Sequence, residues 1–310
     1  MLDPESLYSV TGEAHRSPEG EGPVLLHALD GFLDAGSAGR LASEHLIGTL
    51  EGQVVATFDI DLLHDYRARR PPLVFAEDHY EDYTAPELAI HELRDAAGRP
   101  FLLLSGPEPD VAWEAFVVAL KRLIDRFGVS LTIGLGGVPM TVPHTRPITL
   151  TMHATRSDLV TRSNVWRGRI RVPASAAALV ELRLGEAGHD AMGFVAHVPH
   201  YLAAVENPEA SAALLEAVIG ATGLVLPVEE LREAAVERRR EIDEQIEGEE
   251  QVQQVVRALE SQYDAMVDEK QGESFDAGAP MPTGEELGAE LERFLTQLDH
   301  RDEPPSGPTP

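Results

Sequence analysis

The sequence predicts an α/β fold: a single domain with a mostly parallel central sheet flanked by helices, followed by a C-terminal helical extension. Three observations carry this expectation. Buried β-rich runs alternate with segments whose apolar residues recur every three or four positions. Four of those strand-like runs end in loops dense with glycine, proline and functional side chains, where open α/β sheets place their ligands. The chain is also long enough for one large or two modest domains, with 310 residues of which 43% are hydrophobic.

The elements follow in order. Residues 24–29 read as a buried strand that runs into Asp30-Gly31-Phe32-Leu33-Asp34-Ala35-Gly36 and then a helix with Leu41, Leu46 and Ile47 on its apolar face. Residues 54–60 form the next strand, and Arg67-Ala68-Arg69-Arg70-Pro71-Pro72 is a basic segment stopped by proline. Residues 88–93 and 101–104 flank a hairpin turn at Asp95-Ala96-Ala97-Gly98. A helix then carries Trp113, Phe116, Val117, Leu120, Leu123 and Ile124 at three-and-four spacing, with Asp110 as its expected N-cap. Residues 129–135 and 148–154 read as strands, 174–184 as an alanine-rich helix, and 193–198 as a strand. Asn207-Pro208 opens the last helix of the body.

Three segments are expected: an α/β body over 1–226, a helical extension over 227–268 and an acidic, largely disordered tail over 269–310. In the extension, Leu231, Ala235, Ile242, Val252, Val256, Leu259, Tyr263 and Met266 fall on a heptad seam, with Gly248 as a bend between two helices. That seam either folds back on the body or packs at a subunit interface. The tail holds one amphipathic island, Leu287, Leu291, Phe294, Leu295 and Leu298, among glycine, proline and acid.

Composition excludes several classes. No cysteine is present, so there is no thiolate metal site, disulfide or cysteine nucleophile. The net charge of −28 argues against nucleic-acid binding. No apolar run reaches the roughly 20 residues of a membrane span, and the N-terminus lacks the regions of a secretory signal. The expected location is the cytoplasm. There is no phosphate-binding loop, nucleophile elbow or His-Glu-x-x-His helix, and no cofactor is expected.

The candidate ligand-binding residues lie on the four strand-end loops: Asp34, Glu108, His144, Arg146 and His197. Each has a structural reading beside the functional one. Asp34 suits a helix cap and Glu108 a solvated turn. His197 and His200 have the look of a metal-ligand pair but, on a strand end with proline between them, are expected to face different ways, so no metal site is expected. Pro143-His144-Thr145-Arg146-Pro147 is the strongest local signal, because two prolines stiffen a loop that offers a guanidinium fork beside an imidazole. If the strands are parallel, these residues converge on one rim and share a pocket for a polar or anionic small molecule.

Gly31-Phe32-Leu33-Asp34-Ala35-Gly36 resembles the N-terminal signature of the proteasome assembly chaperone family, second-subunit type. The runs 100–110, 137–140 with 143–147, and 197–201 resemble the actinobacterial branch of that family, whose members are uncharacterised. The likeness spans roughly residues 5–265. It implies a fold like that of nucleoside phosphorylases and peptidyl hydrolases, homo-oligomers, and a cytoplasmic role in protein–protein contacts. In the eukaryotic chaperones it also implies binding to the α-ring of a nascent proteasome, helped by a C-terminal hydrophobic–tyrosine–any tripeptide. The sequence ends Pro308-Thr309-Pro310, so that element is expected to be absent. The alternative class is a small-molecule binder or hydrolase-like enzyme that uses the polar rim.

Overall fold

Four strands run side by side in the same direction through the centre of an eight-stranded sheet. The computed structural model describes residues 3–15, 22–32, 34–160 and 169–271, the final stretch 266–271 by backbone alone. The strands are β1 (Tyr8–Val10), β2 (Val24–Asp30), β3 (Gly52–Phe58), β4 (Val74–Ala76), β5 (His79–Glu81), β6 (Ala89–Arg94), β7 (Pro100–Pro107), β8 (Leu131–Met140), β9 (Leu150–Ala154) and β10 (Ala191–Pro199). The helices are α1 (Ala38–Thr49), α2 (Trp113–Phe127), α3 (Ala176–Glu186), α4 (Pro208–Thr222), α5 (Glu229–Ile246) and α6 (Glu250–Gln271).

The main sheet has the order β1-β3-β6-β7-β2-β8-β10-β9. Pairings β7–β2, β2–β8 and β8–β10 are parallel, and the flanking ones are antiparallel. The β6–β7 hairpin forms where expected. The Asp95 carboxylate accepts from the backbone N–H groups of Ala97 and Arg99 inside its turn, and from Val225 across the chain.

The central strands are buried on both faces, hence their near-continuous apolar runs. Leu26, Ala28, Ile133, Leu135 and Phe194 pack under α1 and α4. Leu25, Leu102, Leu104 and Ala191 face α2 and α3. The α1 face differs from expectation. Its buried residues are Ala38, Gly39, Ala42, Ser43 and Leu46, whereas Ile47 is exposed. Small side chains let α1 lie close on the sheet, and the larger aliphatics fall beside that contact.

Asp110 does not cap α2. The residue before α2 is Ala112, in a left-handed conformation, and Asp110 turns instead towards residues 64–69. Asn207 does cap α4, its side-chain oxygen accepting from Ala210 N–H at 3.1 Å.

The extension is a helical pair broken at Gly248, whose φ of 96° ends the turn between α5 and α6. Leu231, Val256 and Leu259 on the seam are buried. Residues 3–268 belong to one compact unit. The amphipathic island and the disorder expected of the tail lie outside the described residues. Among those described, no helix is long and apolar enough to cross a membrane.

Candidate functional site

The carboxyl ends of β2 and β7 meet at a buried carboxylate. Glu108 follows β7 and accepts from Phe32 N–H at 3.1 Å and from Ala176 N–H, the first amide of α3. That helix start is a favourable place for negative charge. Gly31 makes the approach possible, because a Cβ there would sit 2.1 Å from Glu108 Oε2. Asp34 also serves backbone amides, accepting from Gly39 at 2.7 Å and Arg40 at 3.0 Å in the first turn of α1. Burial raises its pKa, and those two amides counter the rise. Gly36, at φ 68°, lets the chain turn into α1 with its N–H on Ala203 O and its carbonyl on Asn207 N–H. The Gly31–Gly36 motif is therefore a backbone device for joining β2, α1 and α4.

Arg69 extends this rim. Its guanidinium donates to the carbonyls of Asp30 and Glu108 and pairs with Asp110 at 2.8 Å. Asp110 also accepts from Asp65 N–H at 2.7 Å. Burial pushes the Asp110 carboxyl up, but that amide and Arg69 outweigh it and hold it below the usual carboxylate range. Phe32, next to Gly31, is 63% exposed, and Val111, Ile170 and Val172 are also exposed.

Beyond Arg69 the chain leaves the body as an arm that pattern reading missed. Strands β4 and β5 pair only with each other, Phe75 opposite Tyr80, and Thr84 N–H to Pro72 O closes the base. The rings of Phe75 and Tyr80 lie 5.0 Å apart, yet Tyr80 is 71% exposed. Leu73, Val74, Phe75 and Tyr83 are exposed as well. A run of apolar residues exposed on both faces of a hairpin is the mark of an interaction element.

The proline-bracketed loop is held elsewhere. His144 is buried, with Nδ1 at 2.7 Å from Tyr201 Oη and Nε2 at 3.2 Å from Asp243 on α5. Its backbone N–H donates to the same Tyr201 oxygen at 2.8 Å. Burial pushes the Tyr201 phenol up to about 12, against the pull of that amide. Arg146 forms a fork on Asp264 of α6 at 2.8 and 2.7 Å and reaches Glu260 at 3.2 Å. Thr145 also donates to Glu260, and Tyr263 donates to Pro147 O. The loop thus clasps the α5–α6 pair onto the body.

His197 lies buried on β10 with its ring nitrogens 2.8 Å from the Thr149 and Thr151 hydroxyls. His200 is exposed and meets the Tyr201 ring edge-on. Among the described residues, no three of His, Asp and Glu are grouped to hold a metal.

The expected rim is thus divided. Asp34 and Glu108 belong to the joins of β2 and β7 with α1 and α3, His144 and Arg146 to the clasp, and His197 to the β9–β10 edge. Two cavities open beside the clasp. A cleft of about 890 Å³ is lined by Pro147 and Ile148 with α4, α5 and Gln253, and a recess of about 20 Å³ includes His144. Asp34, Glu108 and Arg146 line neither. Neither of these cavities links the four residues expected to share a pocket: each carboxylate is engaged by nearby amides and Arg146 by α6.

Comparison with known proteins adds the lineage. A family model described as the PAC2 family matches residues 28–246. No curated protein matches the chain. A Mycobacterium tuberculosis protein of unknown function is similar in structure with a TM-score of 0.82 at 47% identity, over 94% of this chain and 96% of that one. A Corynebacterium glutamicum protein of unknown function gives a TM-score of 0.81 at 38% identity, over 85% and 99%. A M. tuberculosis proteasome-assembly chaperone homologue gives 0.67 at 28% identity, over 72% and 95%.

Proposed function

The chain belongs to the PAC2 family, and from that premise we propose that it acts as a cytoplasmic, assembly-chaperone-like protein through protein–protein contacts, itself a homo-oligomer. The observation that carries this reading is the arm. Leu73, Val74, Phe75, Tyr80 and Tyr83 stand exposed on a hairpin that, among the described residues, pairs with no other strand. Ordering such a segment around water-exposed apolar side chains is unfavourable unless a partner surface covers them. The likeness to a proteasome-assembly chaperone homologue supports a partner among proteasome subunits.

Light scattering on the full chain tests the first half. The expected mass is a multiple of 33.7 kDa, and the double variant Phe75→Ser, Tyr80→Ser should shift it towards the monomer with unchanged circular dichroism. A wild-type monomer throughout the micromolar range would sink the assembly reading. The second half is tested by co-expression with actinobacterial proteasome α- and β-subunits. The expected result is faster appearance of barrel-sized particles, and an unchanged rate rejects the chaperone role.

A further inference from the structure

We infer that the rim beside the arm is a docking surface for an acidic peptide segment of a partner protein, one that carries apolar side chains among its carboxylates. The inference rests on the reading above, that the protein works through protein contacts, and it names the chemistry of the contact.

Charge pairing carries it. The chain has 25 basic and 53 acidic residues, so a basic side chain has many carboxylates to choose from. Among the described residues, most arginines are paired: Arg69 with Asp110, Arg146 with Asp264, Arg183 with Glu114 and Arg239 with Glu209. Arg67, Arg70, Arg169, Arg171 and, on α6, Arg257 are exposed and enter no ion pair. The first four are not scattered. Arg67 and Arg70 flank Arg69, which is bonded to the carbonyls of Asp30 and Glu108. Arg169 and Arg171 lie just before Ala176, whose N–H is bonded to the Glu108 carboxylate. All four therefore lie on segments anchored within a few residues to one buried hub.

Three carboxylates of the same stretch, or bonded to Arg69 within it, are already engaged. Asp61 accepts from Tyr66 Oη, Asp65 from Arg67 N–H, and Asp110 from Arg69. Phe32 meets the same hub through its N–H on the Glu108 carboxylate, Ile170 and Val172 alternate with Arg169 and Arg171 along the chain, and these side chains and Val111 are exposed. A cationic surface with an apolar floor, on a protein of net charge −28, favours an anionic partner with apolar side chains. Guanidinium forks suit its carboxylates, and charge complementarity fixes where it lands. The arm's tip is itself acidic, with Glu77, Asp78, Glu81 and Asp82, and would direct such a segment to the arm's base. Nucleic acid shares the charge but would gain less from the aliphatic floor.

The test uses the full chain and a fluorescein-labelled synthetic peptide of alternating Glu or Asp with Leu or Phe, read by fluorescence anisotropy at low salt. Saturable binding is expected, at least ten-fold weaker in each of Arg67→Glu, Arg70→Glu and Arg169→Glu, Arg171→Glu, and unchanged in Arg257→Glu, an unpaired arginine on α6. The corresponding double alanine variants repeat the measurement without charge reversal. No binding, equal binding by both rim variants, or tighter binding of poly-uridylate than of the peptide overturns the assignment. Light scattering on the same samples separates the two readings. An oligomer that ignores the peptide refutes the rim alone, and a monomer that binds it refutes self-assembly alone.

Discussion

Two regions that look alike in sequence, the carboxylates at the ends of β2 and β7 and the proline-bracketed loop after β8, hold the fold in opposite ways. Glu108 and Asp34 accept from backbone amides at the starts of α3 and α1 and in the loop after β2. His144 and Arg146 instead present ring and guanidinium nitrogens to carboxylates on α5 and α6, most of them partly or largely in water. The first kind of contact satisfies groups that burial would otherwise leave unmade, and it is expensive to lose. The second competes with water and salt and is cheap to lose. Polar residues on adjacent strand ends thus serve as a weld in one place and as a clasp in the other.

The weld should give the largest effect. Glu108→Ala strands two amides and removes a negative charge from the start of α3. Hydrogen bonds to charged groups and the helix-start interaction together set the loss at roughly 3–5 kcal/mol of unfolding free energy. Urea denaturation measures it. Glu108→Gln should fall between, since one amide oxygen can still accept. A loss under about 1 kcal/mol for the alanine variant would erase the contrast between the two regions.

Acid sharpens the same contrast from inside β2. Burial lowers the His27 imidazole from 6.5 to about 4, outweighing the upward pull of Glu181. The native state holds it neutral while the unfolded chain takes up a proton, so stability falls as pH drops from 6.5 towards 4. At 1.36 kcal/mol per pH unit, the loss is roughly 2 kcal/mol by pH 5 and roughly 3 kcal/mol below pH 4. Comparing wild type with His27→Leu between pH 7 and pH 5 isolates the effect. The variant should lose roughly 2 kcal/mol less over that interval, and parallel profiles would show that His27 is protonated in the fold.

Much of this architecture is legible in the residues, because its signals are local. The run 24–29, the Asp95–Gly98 turn, the Asn207-Pro208 cap and the Gly248 break each announce themselves within a few positions. What is not legible depends on contacts distant in sequence. Arg146 finds Asp264 and Glu260 more than a hundred residues away, and Asp110 is drawn from its expected cap position to Asp65 N–H and Arg69. β1 and β4 are three residues each, too short for any period to show. The unpaired arginines carry no local signal either, since being unpaired is a property of everything around them.

The smallest effect is expected at the clasp, from Arg146→Ala. Asp264 raises the pKa of this guanidinium and is itself held below the usual carboxylate range by it, so the pair is real. Both groups nevertheless reach water, and α6 keeps Val256 and Leu259 buried without them. The variant should unfold globally close to the wild-type midpoint while amide hydrogen exchange over residues 250–265 accelerates several-fold. Wild type in about 1 M salt, where the screening length falls to roughly 3 Å, should reproduce part of that acceleration, whereas the amides held by Glu108 should not respond. Global destabilisation by Arg146→Ala as large as that of Glu108→Ala would mean that α5 and α6 unfold with the sheet, making the clasp a second weld. Local acceleration without it leaves the helical pair free to open on its own, and with it the cleft between α4 and α5.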